Sequence, residues 1–398
     1  MSTDTSRTAR RSGTTLELLH KWYPGDGKAA MQALAQRFNE SHAGVQVDER
    51  TCDNLGLEIK SRILQEDPPE LWFEWPGKNL VPYLEAGVVR DLEPIWAESD
   101  MGEYYPDEVL EIATPDGEYY PIPTNMHRVN NLFYNVELAE QAGVDPTRID
   151  DPRELVEVLA QIDGEVGVPG MVQPMQNPWT VLQLWANVLL GLTDQSVYEG
   201  VTEGDTRRHS GAIEEALSVV DEMATLAQED ALFTSFTDAN EQFVDGDSVF
   251  FHNGDWAAEL YTPENDFVYE RDWGHVPFPG TEGLYTVNLD AVMATEKGDL
   301  EDLRVFLEFA GSVEGQTVFN KPKGSIPPRT DADLSAFPPL MQEQYRDFQN
   351  SRGKPGTITH GLAVDPSELM DLSAAFASFV SDRDVKRATD DIVDALAG

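Results

Sequence analysis

The chain of 398 residues has one cysteine, Cys52. No internal disulfide can form, and no cysteine-based metal cluster; Cys52 reads as a small core residue. Basic residues are scarce, with 28 Lys plus Arg against 72 Asp plus Glu and a net charge of −44. Such an excess repels nucleic-acid phosphates and anionic membrane surfaces, so no nucleic acid is expected among the partners. No apolar run reaches the roughly 18 residues that a membrane-spanning helix needs. The polar N-terminus carries Arg10-Arg11 with no apolar stretch behind it, and does not read as a signal peptide. Catalytic signatures are missing too: there is no Gly-x-Ser-x-Gly elbow, no His-Glu-x-x-His, no Walker loop and no EF-hand spacing. The seven histidines include no pair at metal-ligand spacing. Neither a metal nor a cofactor is expected.

The acids that are present lie along the whole chain rather than in a block, as an interaction tail would place them. Between 212 and 229, Ile213, Leu217, Val220 and Ala224 recur at helical spacing while Glu214, Glu215, Asp221 and Glu222 face away. Self-repulsion of this size destabilises a protein in dilute buffer, and concentrated salt screens it within a few ångströms. The charge therefore reads as adaptation to high salt, not as a binding surface.

The first hundred residues alternate between short apolar runs and amphipathic segments. Leu16–Leu19, Val45–Val47 and Leu71–Phe73 read as strands. Between them, residues 27–42 carry Met31, Leu34, Ala35 and Phe38 on one helical face. Leu55, Ile59 and Ile63 mark a second helix, stopped by Asp67-Pro68-Pro69. This alternation predicts an open, mostly parallel sheet covered by helices. From about 126 to 275 the pattern is mainly helical, over 153–162, 179–192, 212–228 and around 243–261. Pro121-Ile122-Pro123, Pro277-Phe278-Pro279 and Pro327-Pro328 mark three candidate crossings between two units.

Gly25-Asp26-Gly27-Lys28-Ala29-Ala30 follows a strand, opens a helix and matches the dinucleotide pattern, with Asp48 or Glu49 about 20 residues on. Asp26, however, would set a carboxylate beside a pyrophosphate. The same residues serve equally as a turn that aims Asp26 at a neutral ligand. Trp22 follows the first strand, Trp75 the third, and Trp256 sits in Gly254-Asp255-Trp256. Ends of parallel strands are where such folds bind ligands. Indole rings stack on the apolar C–H faces of sugars, and polar side chains satisfy the hydroxyls. Trp72 and Phe73, inside a strand, read as core.

Several stretches resemble, in order and spacing, the family 1 extracellular solute-binding proteins of ABC importers, in particular the glucose- and mannose-binding subgroup. They are Leu16-Glu17 with Trp22 and Gly25-Asp26-Gly27, Asp67-Pro68-Pro69-Glu70, and Leu84-Glu85-Ala86-Gly87. Tyr120-Pro121-Ile122-Pro123-Thr124-Asn125-Met126-His127-Arg128, Tyr134-Asn135 and Gly254-Asp255-Trp256 follow, then Lys323-Gly324-Ser325-Ile326 and His360-Gly361. The resemblance implies a two-lobed α/β fold of the type II periplasmic-binding-protein kind, with a multi-strand hinge and a ligand cleft. It implies a neutral sugar as ligand, a glucose-like monosaccharide or small oligosaccharide, with permease subunits as partners, a monomer, and an extracellular, cell-surface location; with no signal peptide visible, a cytoplasmic location stays open beside it. The expected division is a disordered segment over 1–14, one lobe from 15–124 plus 278–330, and a helix-rich lobe from 125–277 plus 331–398.

The resemblance also implies the lining of the cleft. Trp22 is an aromatic platform and Asp26 a hydroxyl acceptor, Asn125 and His127 lie at the first crossing, and Trp256 stacks from the second lobe. Asp290 accepts hydroxyls; Lys323 and His360 donate. Trp75 stands in Phe73-Glu74-Trp75, where the subgroup carries polar residues, and either Glu74 or Trp75 takes over a hydroxyl contact or extends the site. Two other classes use similar residues: a glycosidase built on a carboxylate pair, and a nicotinamide-dependent dehydrogenase built on the glycine motif. No carboxylate pair stands out by spacing, and the binding protein, not an enzyme, is the reading adopted.

Overall fold

The computed structural model describes residues 13–24, 27–114, 117, 120–162, 166–261 and 266–397; nearly all of the segment expected to be disordered, and Asp26, lie outside them. A first sheet has β1 (Thr14–His20), β2 (Val45–Thr51), β3 (Leu71–Glu74), β4 (Ile122–Arg128) and β9 (Val287–Ala294), in the order β2-β1-β3-β9-β4. β1 pairs parallel with β2 and β3. The helix Lys28–Ser41 buries Met31, Leu34, Ala35 and Phe38, the expected face, against Leu16 and Leu18 of β1. The helix Leu55–Leu64 stops just before Asp67-Pro68-Pro69, since a residue preceding proline is disfavoured in the helical region.

The sheet expected to be mostly parallel is so only on the β1 side: β9 runs antiparallel to both β3 and β4. β9 enters from the other half of the molecule and not through a strand–helix–strand crossover, so the handedness rule that makes such strands parallel does not act on it.

A second sheet is formed by β5 (Asn131–Asn135), β6 (Met171–Val172), β7 (Phe250–Asn253) and β8 (Trp273–Pro277), in the order β6-β7-β5-β8. Its core gathers the helices Pro152–Ile162, Pro178–Leu192, Ser210–Thr225, Pro366–Asp382 and Val385–Ala395. Pro178–Leu192 is buried all round from Thr180 to Leu190, as suits a helix apolar on every face. The expected helical stretch around 243–261 is instead the end of the helix Phe236–Val244, then β7, then a 3₁₀ turn over Asp255–Leu260. A strand buried on both faces is a continuous apolar run, and periodicity cannot tell Val249-Phe250-Phe251 from a buried helix segment.

Among the described residues the chain passes between the sheets three times. The first passage follows Arg128, between β4 and β5, so a boundary at 124/125 would cut a strand of the first sheet. The second joins β8 to β9. The third runs over 351–365, where Tyr285 N–H donates to the Gly353 carbonyl (3.0 Å) and Val287 N–H to that of Pro355 (2.9 Å). Pro327-Pro328 makes no crossing: Ile326 pairs with Met126 of β4, and buried Arg329 binds Asp100 and Asp331 beside the first core. The helix Pro339–Asn350, expected with the second lobe, spans both. Met341 and Phe348 join the first core, whereas Leu340 joins a cluster under β5 and β7 and Gln344 donates to Asn131.

Candidate functional site

β1 and β3 end side by side, and the residues that follow them, Lys21-Trp22 and Trp75, reach a cavity of about 370 Å³ between the sheets. Strand alternation along β9 sends Asn288 and Asp290 to the same face, opposite His127 and Asn125 in register on β4. Lys323 closes the helix Val313–Lys323. The second sheet contributes Trp256 from the turn after β7, with Trp179 and Phe236 from the first residues of two helices. Thr359 and His360 come from the third passage. The lobes touch across the mouth: Lys78 Nζ donates to the Thr202 carbonyl (3.1 Å), and Gly27 N–H to Glu259 Oε2 (3.3 Å).

Of the nine residues singled out from the sequence, Trp22, Trp75, His127, Trp256, Asp290, Lys323 and His360 line this cavity. Asn125 stands behind it, fully buried. Its amide donates to Asp290 Oδ2 (3.0 Å) and accepts from the Asp290 N–H (3.1 Å), so it orients that carboxylate. Asp26 lies outside the described residues. Trp22 is only 2% exposed and packs on Phe73 and Phe319 with ring centroids 5.2 and 5.4 Å away. The platform expected of it is therefore mostly core, and partly exposed Trp75, Trp179, Trp256 and Phe236 supply the aromatic wall.

The polar groups hold one another in place. Lys21 Nζ lies 3.0 Å from the Trp75 ring centroid and 3.8 Å from both Glu74 Oε1 and Asp290 Oδ1. Burial pushes the Glu74 carboxyl up, against the pull of Lys21. Burial acts the same way on Asp290, yet the charges of Lys21 and Lys323 outweigh it and the net shift is downward, so Asp290 stays ionised. Burial, reinforced by Lys21, lowers His360 to about 3, which leaves a neutral imidazole at pH 7. His360 meets Trp75 and Trp256 edge to face (5.0 and 5.4 Å), and Trp256 meets His127 the same way (5.3 Å). Lys21 and Lys323 thus stand against Glu74 and Asp290, a match of cations and carboxylates that suits a guest without net charge.

Two glycines make this packing possible. Gly27 has φ +84°, and a Cβ there would stand 2.7 and 2.8 Å from Lys323 Cδ and Cε. The glycine of the dinucleotide-like motif thus admits a lysine side chain, and its N–H faces the Glu259 carboxylate where that motif would need a pyrophosphate. At Gly254 a Cβ would meet the Trp256 ring at 2.2 to 2.5 Å.

Lys21, Asn288, Thr359, Trp179 and Phe236 were not singled out from the sequence. The first three sit beside or in alternation with residues that were, a usable signal. Phe236 follows Ser235 in a Ser-x-x-Asp capping box that fixes its helix start, but nothing local shows that this helix ends on a cleft.

Residues 33–343 match the bacterial extracellular solute-binding protein family. The xylose/arabinose-binding protein XacG of Haloferax volcanii is 34% identical over 392 residues, covering 96% of this chain and 84% of that protein. An ABC transporter extracellular-binding protein of Pyrococcus horikoshii is 26% identical over 388 residues, covering 96% and 87%. Among solved structures, the bacterial solute receptor AcbH, described as having an exclusive preference for β-D-galactopyranose, superposes with a TM-score of 0.84 at 14% identity, covering 97% and 98%. The likeness in fold to that receptor, together with the family match over most of the length, answers what kind of molecule this is: the chain belongs to the bacterial extracellular solute-binding proteins.

Proposed function

We propose that the protein is the sugar-binding component of an ABC importer, and that it takes a neutral sugar into the cleft between its lobes. The observation that carries this is the wall of partly exposed rings, Trp75, Trp179, Trp256 and Phe236, facing charges already balanced against one another. Indoles suit the apolar faces of a pyranose, and Asp290, Lys323 and Lys21 offer charge-assisted bonds to its hydroxyls. XacG, a relative named for xylose and arabinose, makes pentoses the first candidates. The ligand adds contacts present only with the lobes together, so it shifts the protein toward the closed form that permease subunits recognise.

In this proposal the first lobe comprises the described residues of 13–128 and 287–338, the second those of 131–277 and 358–397, and the helix Pro339–Asn350 packs against both. The protein works as a monomer outside the membrane; no helix among the described residues is long and apolar enough to cross one. It releases its ligand unchanged: the buried carboxylates Glu74 and Asp290 share one ammonium instead of flanking a scissile bond. The acidic surface adapts the protein to salt.

Calorimetric titration in molar salt with D-xylose, L-arabinose, D-glucose, D-galactose and their common disaccharides tests the reading. At least one should bind with micromolar or better affinity and raise the melting temperature. A panel without heat and without thermal shift, or release of monosaccharide from a disaccharide, would overturn it.

A further inference from the structure

Asp255 opens the 3₁₀ turn after β7, is 1% exposed, and accepts twice from β4. Its Oδ1 lies 2.5 Å from His127 Nδ1 and its Oδ2 3.0 Å from the Arg128 backbone N–H. Both oxygens are thus engaged by one strand of the opposite lobe. An ionised carboxylate can only accept. With the carboxylate ionised, the proton of this contact sits on His127 Nδ1, and a ring that carries only that proton keeps its lone pair on Nε2.

That second nitrogen is buried and has no hydrogen-bond partner among the described residues, although His127 lines the cavity. Its register partner Asn288 also lines the cavity and likewise has a buried side-chain oxygen, Oδ1, without a partner. With the Asp290 carboxylate beyond them on β9, His127 Nε2 and Asn288 Oδ1 place three acceptor groups along this stretch of wall. Unsatisfied buried acceptors are costly, so they await a donor.

We propose that Asp255 is a positioning residue that fixes His127 as the Nδ1–H tautomer, so that Nε2 and Asn288 Oδ1 select a ligand bearing hydroxyl donors on this face. Carbonyl or carboxylate oxygens presented there would meet lone pairs and be rejected. The ligand half of this inference rests on the sugar reading above; the tautomer half does not. Trp256 follows Asp255 directly and leans on the same imidazole, so a single turn sets both the ring's tautomer and one of its walls.

Long-range ¹H–¹⁵N spectra of ¹⁵N-histidine-labelled protein, with His127 assigned by its absence in His127→Gln, read the tautomer directly. The expected pattern is protonated Nδ1 and unprotonated Nε2; protonated Nε2 in the wild type overturns the proposal without any variant. In Asp255→Asn the amide oxygen must stay on the Arg128 N–H, which turns the NH₂ toward His127 Nδ1 and moves the ring proton to Nε2. A tautomer that remains unchanged in this variant also overturns the role of Asp255. Calorimetry with D-xylose, D-glucose and their single-deoxy analogues reads the consequence. One deoxy position should cost the wild type about tenfold or more, and Asp255→Asn should lose about as much with the parent sugar and little further with that analogue. Equal losses for parent and analogue in Asp255→Asn refute hydroxyl selection. If no sugar binds, the transport reading fails while the spectra still decide the tautomer.

Discussion

Gly27→Ala should separate the cleft's chemistry from the stability of the fold. Gly27 holds φ +84° at the start of the helix Lys28–Ser41, and the added methyl carbon would lie 2.7 Å from Lys323 Cδ and 2.8 Å from Cε. An L-residue in the left-handed region costs about 1–2 kcal/mol, and Lys323, itself buried, must leave its place over the turn. If its ammonium donates a charge-assisted bond to the ligand, losing it costs about 1.5–3 kcal/mol, roughly 10- to 150-fold in affinity. Gly143→Ala is the control: φ is +67°, and nothing stands within 4 Å of the new carbon. Thermal unfolding should show the backbone penalty in both variants, with a further loss in Gly27→Ala from displaced Lys323, whereas calorimetry should show weakened sugar binding for Gly27→Ala alone. Adding Lys323→Ala to Gly27→Ala should weaken binding little further, because both changes remove the same contact. Unchanged affinity in Gly27→Ala, or an equal loss in Gly143→Ala, would refute the argument.

Gly254→Ala meets no backbone penalty, since φ is −68°, but its methyl would collide with the Trp256 ring; sugar affinity should fall at least about tenfold, with an altered tryptophan emission spectrum. Unaltered emission and affinity would mean that the indole is not held by that contact. His252, His275 and His360 are each lowered to about 3, by burial first. Unfolded histidines take up protons near 6.5, so the stability these neutral rings contribute is present above about pH 6.5 and is lost as pH falls toward 3. Up to three protons give a slope approaching about 4 kcal/mol per pH unit; denaturant midpoints at fixed salt should show it, and His252→Gln should remove about a third. With a net charge of −44, the melting temperature should rise steadily from about 0.1 M to molar salt as the screening length shrinks from about 10 to 3 Å, and a flat profile would refute salt adaptation.

The two-lobed class was legible because its signals are local. Leu16–Leu19, the Met31–Phe38 face and the Asp67-Pro68-Pro69 stop each act within a few residues, and each forms the element it predicts. β7 was not legible, because a strand buried on both sides leaves no period. The third crossing was misread for a similar reason: Pro327-Pro328 marks stiffness, but only the pairing of Ile326 with Met126 keeps that segment on the first lobe.

Composition and motif order by themselves determined that no internal disulfide can form, the acidic character, the two-lobed class and most of the residues around the cleft. Tertiary structure alone decided what each of those residues does there. Trp22 sinks into the core beside Phe319, Asn125 stands behind Asp290, and Lys21 joins Glu74 to Asp290. Asp255 reaches across 128 positions of sequence to hold His127. Exposure, charge pairing and tautomer are properties of neighbours brought together by folding, and those neighbours lie too far apart along the chain for any local pattern to record them.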